Sequence, residues 1–283
     1  MPESRSRNPY HIEGQPPQPV RSVVIYVDVL GYTDMAKRAN ETDDQGFFHQ
    51  LYEALEEGQE WLRDDDTGPW ALDKDRYAIK AFTDNIVIGW PVRDNAESEL
   101  TAMLSMASFF QMQMANRGFF LRGAISLVGV YVDDVAVYGG AFFESYEAEC
   151  QAVDPKIVLT DSATFAIRKH LGYHGPVEYA PQYRDLYRDA DGQSFLNYLE
   201  TILIAENEEE AGPFYDQLLL HKEKVEERLL EFRSKPRIWS KYVWVASYHN
   251  YFCDQYPQYF DHSHKIDRDV YQTRFSRIAL NIV

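Results

Sequence analysis

The sequence predicts a mixed α/β (α+β) fold with a ferredoxin-like βαββαβ core, whose sheet is mostly antiparallel and carries helices. The first observation is the order of predicted elements, strand, helix, strand, strand, helix, strand, which is that of a split βαβ unit. The second is a 283-residue chain with 45% apolar residues, enough for a sizeable core. The third is a helical spacing of apolar residues between the strands.

The first strand is predicted at residues 23–28, and a helix follows from about residue 33. Its apolar residues at helical spacing are Phe48, Leu51, Tyr52 and Leu55. An acidic loop at residues 64–69 leads to a strand pair at 77–90. A second helix comes next, then a central strand at 119–125. The second helix presents one apolar side, formed by Leu100, Met103, Leu104, Ala107, Phe110 and Met114.

The later elements begin with a strand at 156–160 and a helix at 161–171, capped by Asp161 or Ser162. Residues 187–195 predict a hairpin with Asp191-Gly192 in its turn. Two long helices follow, at 208–233 and 238–252.

Three segments are predicted. Residues 1–20 are polar and proline-rich and form a mobile tail. Residues 21–175 form the core, and residues 176–283 form a hairpin and helical extension. Because no strong linker separates the two, we expect the extension to pack on the core or to extend a dimer contact.

The formal charge of −17 argues against nucleic acid polymers and polyanionic membrane surfaces as partners. No apolar stretch approaches the roughly 20 residues that a membrane span requires. Cys150 and Cys253 lack CxxC spacing, and the N-terminus has no apolar run of signal-peptide length. We therefore expect a reduced, cytoplasmic protein.

Two predicted strands end in a carboxylate, Asp28 before a Gly turn and a helix start, and Asp84 before the next strand. Carboxylates paired with free N–H groups at a helix start suit two-metal chemistry on a nucleotide. Asp28 could instead cap the helix, and Asp84 could sit in a β-turn with Asn85. For the pair, metal binding is the favoured interpretation.

The run Asp28-Val29-Leu30-Gly31-Tyr32-Thr33 resembles the first metal motif of class III nucleotide cyclases, which reads Asp, Ile, x, Gly, Phe, Thr. The run Lys80-Ala81-Phe82-Thr83-Asp84 resembles their second, Lys, x, x, Gly, Asp. The order of helices and strands extends the resemblance over residues 22–170.

Finer features resemble one branch, the pyrimidine (uridylate or cytidylate) cyclases of bacterial Pycsar antiphage systems. They are the runs Leu121-Arg122-Gly123-Ala124-Ile125, Tyr138-Gly139-Gly140, Ser145-Tyr146-Glu147-Ala148-Glu149 and Pro155-Lys156-Ile157-Val158-Leu159. The resemblance implies a homodimer with sites at the subunit interface and dependence on Mn²⁺ or Mg²⁺. It also implies a cyclic UMP or cyclic CMP product that acts on a separate effector.

Cyclising a nucleoside triphosphate requires in-line attack of the 3′-hydroxyl on the α-phosphorus, with pyrophosphate leaving. Two divalent ions would serve, one bridged by Asp28 and Asp84, the other completed by a backbone carbonyl near Val29. The N–H groups from Leu30 through Gly31 and Tyr32 to Thr33 would face the triphosphate. Changing Asp28 or Asp84 to Ala is expected to abolish turnover without unfolding, because it relieves carboxylate repulsion.

By resemblance, Lys80 stands where cyclases place a base-contacting lysine, and a solvated lysine is the alternative. Arg122 could stabilise transition-state charge or pair with an acidic neighbour. Purine cyclases usually carry an Asn and an Arg where this chain has Phe143 and Glu147. This mismatch argues against a purine cyclase, and the frequency of uridylate cyclases in the resembled family favours conversion of UTP to 3′,5′-cyclic UMP. The alternatives are a cytidylate cyclase, an inactive cyclase-like sensor and, third, a purine cyclase.

Overall fold

A computed structural model describes residues 8–63, 76–151, 153–173, 175–180, 182–203 and 212–271. The strands in chain order are β1 (Val20–Val29), β2 (Ala78–Phe82), β3 (Asn85–Pro91), β4 (Leu121–Val132), β5 (Val137–Gly139), β6 (Ile157–Leu159), β7 (Leu186–Arg188) and β8 (Ser194–Leu196). The α-helices are α1 (Tyr32–Thr42), α2 (Gln45–Arg63), α3 (Glu97–Asn116), α4 (Gly140–Gln151), α5 (Asp161–Leu171), α6 (Gln182–Asp185), α7 (Tyr215–Glu231), α8 (Pro236–Gln255) and α9 (Arg268–Tyr271).

The sheet confirms the ferredoxin-like core. Its strands lie in the order β2-β3-β1-β4-β6-β8-β7, with β5 paired to β4. In the first four, β1 is antiparallel to both β3 and β4, and β2 is antiparallel to β3. The pairing of β4 with β6 is parallel. The split βαβ order read from the sequence is therefore the observed topology.

The sheet has two unlike faces, because alternate residues of a strand point to opposite sides. Val23, Ile25 and Val27 of β1 belong to the large core cluster, which also contains the buried side of α3. Val24 and Tyr26 belong to a smaller cluster on the other face, together with Ala141 of α4. The helix α4 packs there on β1 and β4.

The hairpin of the C-terminal extension continues this sheet, and a helix of the extension packs on the core. Its hairpin, β7 and β8, forms as predicted, and Val158 of β6 pairs with Phe195 of β8. Helices α7 and α8 pack against each other, and α7 also contacts α3. None of the helices in the described ranges is both long and apolar enough to cross a bilayer.

The helical region after β1 differs from the prediction of one helix. Helix α1 ends at Thr42, and α2 begins at Gln45. Asp43 separates them with φ 51°, a left-handed conformation that Asp tolerates better than most residues. Tyr52, which the helical spacing groups with apolar residues, is 61% exposed, and its hydroxyl donates to Glu56.

The predicted cap of α5 is also different. The N-cap position is Thr160, and no side chain caps the helix. Ser162 is engaged elsewhere, because its hydroxyl donates to Glu144 and accepts the Leu127 N–H.

The tail predicted over residues 1–20 includes an anchored part. Tyr10 is buried in the smaller core cluster, and its hydroxyl donates to Ser22 at 2.9 Å. Asn8 donates to the Val132 carbonyl. The ring of Tyr10 supplies apolar surface that the rest of this proline-rich segment lacks, and it thereby anchors the segment. The predicted acidic loop at 64–69, residues 1–7 and the start of the predicted helix at 208 lie outside the described residues.

Candidate functional site

The candidate site begins with a row of directly opposed residues across four strands. Asp28 of β1 lies opposite Asn85 of β3 and Arg122 of β4, and Phe82 of β2 lies opposite Asn85. Directly opposed residues point to the same face of a sheet. This face is the one that carries Tyr26, away from α3.

The backbone of Asp84 lies beside that of Asp28, although the two positions are 56 apart in the sequence. It occupies the β2–β3 turn, and its carbonyl accepts the Val29 N–H at 3.2 Å. Its Oδ1 accepts from the Asn85 amide at 3.1 Å, and Asn85 in turn accepts from the Tyr26 hydroxyl. These bonds place the Asp84 carboxylate at the edge of the face that carries Asp28.

The turn before Asp84 is strained. Thr83 has φ 56°, a left-handed conformation that is an outlier for a β-branched residue. It stands where the resembled motif has glycine. The sequence predicted a strand that ends in Asp84, but β2 ends at Phe82, so Asp84 belongs to the turn and Lys80 alone lies on the strand.

The turn after β1 leads into α1 through Gly31, which has φ 75° and no side chain at van der Waals distance from an added Cβ. Glycine is needed there for its conformation and not for space. Tyr32 and Thr33 occupy the first turn of α1, where N–H groups have no intrahelical acceptor. The Leu30 N–H differs from the expectation, since it donates to the Phe120 carbonyl at 2.8 Å.

Lys80 lies on the same face, because it is opposite Val87, which is opposite Tyr26. It is not simply solvated: its ammonium donates to the Asp134 carbonyl in the β4–β5 loop. Burial acts to raise the pKa of Asp133 in that loop, but hydrogen bonds, led by that from the Ala136 N–H, lower it to about 2. An ionised Asp133 thus holds the loop that Lys80 contacts.

Arg122 pairs with an acidic neighbour, and that neighbour is Asp28. Its Nε donates to Asp28 Oδ1 at 2.9 Å, and its Nη2 donates to Oδ2 at 2.9 Å. This is the bidentate geometry that makes guanidinium–carboxylate pairs strong. Asp28 therefore does not cap α1, because the N-cap position is Gly31 and no side-chain hydrogen bond caps the helix. The negative charge of Asp28 is compensated by the Arg122 guanidinium.

Sequence reasoning missed the polar and aromatic group beside this pair. Tyr26 and Asn85 are hydrogen-bonded, and the Tyr26 ring contacts Phe142 and Tyr146 of α4 at 5.4 and 6.0 Å between centroids. The sequence did contain an indication, because Tyr26 is two residues before Asp28 and alternate residues of a strand point to the same face. Phe143, at a position where purine cyclases carry a functional residue, is 62% exposed.

The donor set can be compared with the needs of a divalent cation. Within the described ranges, no three His, Cys, Asp or Glu side chains are grouped to hold one. Asp28 and Asp84 supply carboxylates from adjoining backbone positions, and Mg²⁺ is commonly bound by one or two carboxylates plus water and substrate phosphates. The residues therefore fit such an ion in chemistry and number, while Arg122 occupies both oxygens of Asp28.

Comparisons with known proteins add little. No protein-family model matches the sequence, and no curated protein matches it significantly. Among solved structures, the chain is similar to a class III adenylyl cyclase-like ATP-binding protein from Pseudomonas aeruginosa, with 12% identity and a TM-score of 0.36. The match covers 52% of this chain and 35% of that one. The fold assignment rests instead on the strand order of this chain.

Proposed function

We propose that this chain is a metal-dependent pyrimidine nucleotide cyclase, which converts UTP to 3′,5′-cyclic UMP and pyrophosphate. The observation that supports the proposal is the hydrogen bond from the Val29 N–H to the Asp84 carbonyl, which joins the strand end that bears Asp28 to the turn that bears Asp84. Two carboxylates, a glycine turn at a helix start and two basic residues share one region of the sheet. Groups of these kinds can position phosphates and neutralise their charge during phosphoryl transfer.

In this proposal Asp28 and Asp84 hold Mn²⁺ or Mg²⁺, two ions per site, with the Val29 carbonyl as a further ligand. The ions would lower the pKa of the 3′-hydroxyl and neutralise charge on the phosphates. The N–H groups of Gly31, Tyr32 and Thr33 bind phosphate oxygens at the positive end of α1.

The remaining roles belong to the basic residues. Arg122 neutralises charge that grows on the phosphates as pyrophosphate leaves, and Lys80 contacts the base or a phosphate. The preference for a pyrimidine rests on the resemblance and on Phe143 and Glu147, which replace the Asn and Arg of purine cyclases. We further propose a homodimer with its two sites at the subunit interface. Its product would act on a separate effector in antiphage defence.

The test is to incubate the purified chain with ATP, GTP, CTP or UTP and Mn²⁺, and to identify cyclic monophosphates by mass spectrometry. Cyclic UMP as the main product supports the proposal, and cyclic CMP would identify a cytidylate cyclase. The Asp28→Asn and Asp84→Asn variants should each form no detectable cyclic monophosphate. Asp94→Asn is the matched control, because it removes an exposed carboxylate beyond the opposite end of β3 from Asp84.

An inactive nucleotide-binding sensor is the second candidate, favoured by one observation. Asp28 is engaged through both oxygens by Arg122, which opposes entry of a cation. No cyclic product from any of the four triphosphates, together with measurable nucleotide binding by calorimetry, would support this candidate and reject the cyclase.

A further inference from the structure

The pair formed by Asp28 and Arg122 stands at the position proposed for the cation. Three hydrogen bonds join the two side chains, including a third contact from Nε to Oδ2 at 3.2 Å. A guanidinium and a divalent cation cannot both lie against these oxygens without strong repulsion between like charges. Cation binding therefore requires Arg122 to give up at least part of this contact.

The backbone cannot provide this movement. Asp28 and Arg122 are directly opposed on the adjacent strands β1 and β4. At the next residue, Gly123, an added Cβ would lie 2.1 Å from the Tyr26 carbonyl oxygen, so the two strands are in close contact. The exchange must come from a side chain.

Arg122 is the partner that can move. Its side chain is 27% exposed, whereas that of Asp28 is 14% exposed. Arginine has four rotatable side-chain bonds and aspartate has two, and the longer chain can swing towards solvent while the carboxylate stays at the strand end. Such a swing takes the guanidinium away from Asp28 and towards the solvent that its side chain already contacts.

We propose that Arg122 is an exchangeable counter-ion, which neutralises Asp28 in the cation-free chain and transfers to the nucleotide phosphates when a cation takes its place. This inference rests on the proposed function and deepens it, because it couples cation binding to nucleotide binding. A triphosphate presents several negative oxygens in the geometry that a guanidinium binds bidentately. The exchange keeps the carboxylate and the guanidinium paired with opposite charge before and after binding.

The inference is tested by binding and not by turnover. Mn²⁺ affinity is measured without nucleotide, by electron paramagnetic resonance of the free ion, for the parent, Arg122→Gln and Arg122→Lys. Gln keeps a hydrogen-bond donor for Asp28 but removes the competing charge, so Mn²⁺ should bind about tenfold more tightly or better. Lys keeps the charge, so its Mn²⁺ affinity should stay within about threefold of the parent.

The matched control is Arg188→Gln, which makes the same change of net charge at an exposed arginine on β7. This control measures how much the loss of one positive charge alone changes the attraction of Mn²⁺ to a chain of formal charge −17. Its Mn²⁺ affinity should equal that of the parent.

The second measurement is the affinity for 3′-deoxy-UTP at saturating Mn²⁺, by calorimetry. This probe lacks the attacking hydroxyl and cannot be cyclised. Arg122→Gln should weaken its binding about tenfold or more, because the phosphates lose the guanidinium. The effects on cation and nucleotide thus have opposite signs, which a purely structural role for Arg122 would not produce.

The inference is overturned if Arg122→Gln binds Mn²⁺ no more tightly than the parent, or if the affinities for Mn²⁺ and nucleotide fall together. If the Gln variant does not fold, Arg122→Ala is measured against Arg122→Lys with the same criteria, and loss of folding in both assigns Arg122 a structural role. Failure of the proposed function is a separate result, namely no cyclic product from the parent.

Discussion

The Nδ1 atoms of His221 and His249 lie 3.0 Å apart in two buried imidazole rings that stack 4° from parallel. His249 Nε2 contacts the His264 carbonyl, which can only accept, so this nitrogen carries the proton. His249 Nδ1 is then the acceptor and His221 Nδ1 the donor. The Tyr198 hydroxyl completes the chain by donating to His221 Nε2. Both histidines are neutral in this arrangement.

The neutral pair predicts loss of stability in acid. Burial lowers the pKa of His249 to about 4. Burial, followed by the repulsion that a protonated His249 would exert, lowers the pKa of His221. Below about pH 6.5 the unfolded chain protonates these rings and the folded chain does not. The free energy of unfolding should therefore fall as pH falls from 6.5 to 4, by about 3 kcal/mol for His249 alone.

Urea unfolding between pH 4.5 and 7.5 checks this prediction, with His249→Gln as the comparison. Asp185 has the opposite effect on the pH dependence of the free energy of unfolding. Burial, followed by the charge of Glu200, raises its pKa to about 6. The difference between parent and variant removes that contribution. Parallel pH profiles for the two proteins would contradict the assignment.

Asp28→Asn and Asp84→Asn should both lose turnover but should differ in stability. Asp28→Asn weakens the bidentate pair with Arg122, and we expect a loss of about 1–2 kcal/mol because the pair is partly exposed. This corrects the expectation that removing Asp28 relieves repulsion. Asp84→Asn retains an oxygen that can accept from Thr83 and Asn85, and should cost under about 1 kcal/mol. Thermal unfolding measures both, and a larger loss for Asp84→Asn would contradict the pairing.

The left-handed Thr83 predicts an unusual gain from glycine. Thr83→Gly relieves the conformation at φ 56°, whereas Thr83→Ala removes the same hydroxyl but keeps a Cβ. We expect the Gly variant to be about 1 kcal/mol more stable than the Ala variant in chemical unfolding. Equal stability, or a more stable Ala variant, would show that the turn is not strained.

Two glycines near the site should respond differently to alanine. Gly123→Ala places a Cβ 2.1 Å from a backbone oxygen and should cost about 3 kcal/mol or more. Gly31→Ala meets no neighbour and bears only the cost of its positive φ, about 1–2 kcal/mol. The unfolding midpoints of the two variants compare the steric cost at Gly123 with the conformational cost at Gly31. A larger loss of stability for Gly31→Ala would refute the steric explanation.

The sequence was sufficient for the strand order, because the apolar runs and their aspartate ends mark the core strands directly. The sequence also predicted that Asp28 and Asp84 lie near each other, and the backbone bond from the Val29 N–H to the Asp84 carbonyl joins the strand end and the turn that bear them. The pairing of Asp28 with Arg122 was not predictable, because opposition across β1 and β4 depends on a register that sequence spacing does not give. The break at Asp43 and the burial of Tyr10 were missed for a similar reason, as tertiary contacts overrode local composition.

Lys156 determines where the chain can be divided. The buried ammonium of Lys156 lies 2.6 Å from the carboxylates of both Asp189 and Asp191, in the β7–β8 turn. The backbone carbonyl of Lys156 accepts the N–H of Gly123. A fragment that stopped at residue 175 would leave this ammonium inside the protein without either carboxylate, next to the strand that bears Arg122. The hairpin therefore neutralises a buried charge of the preceding segment, and we expect shortened versions of this chain to need residues 186–196.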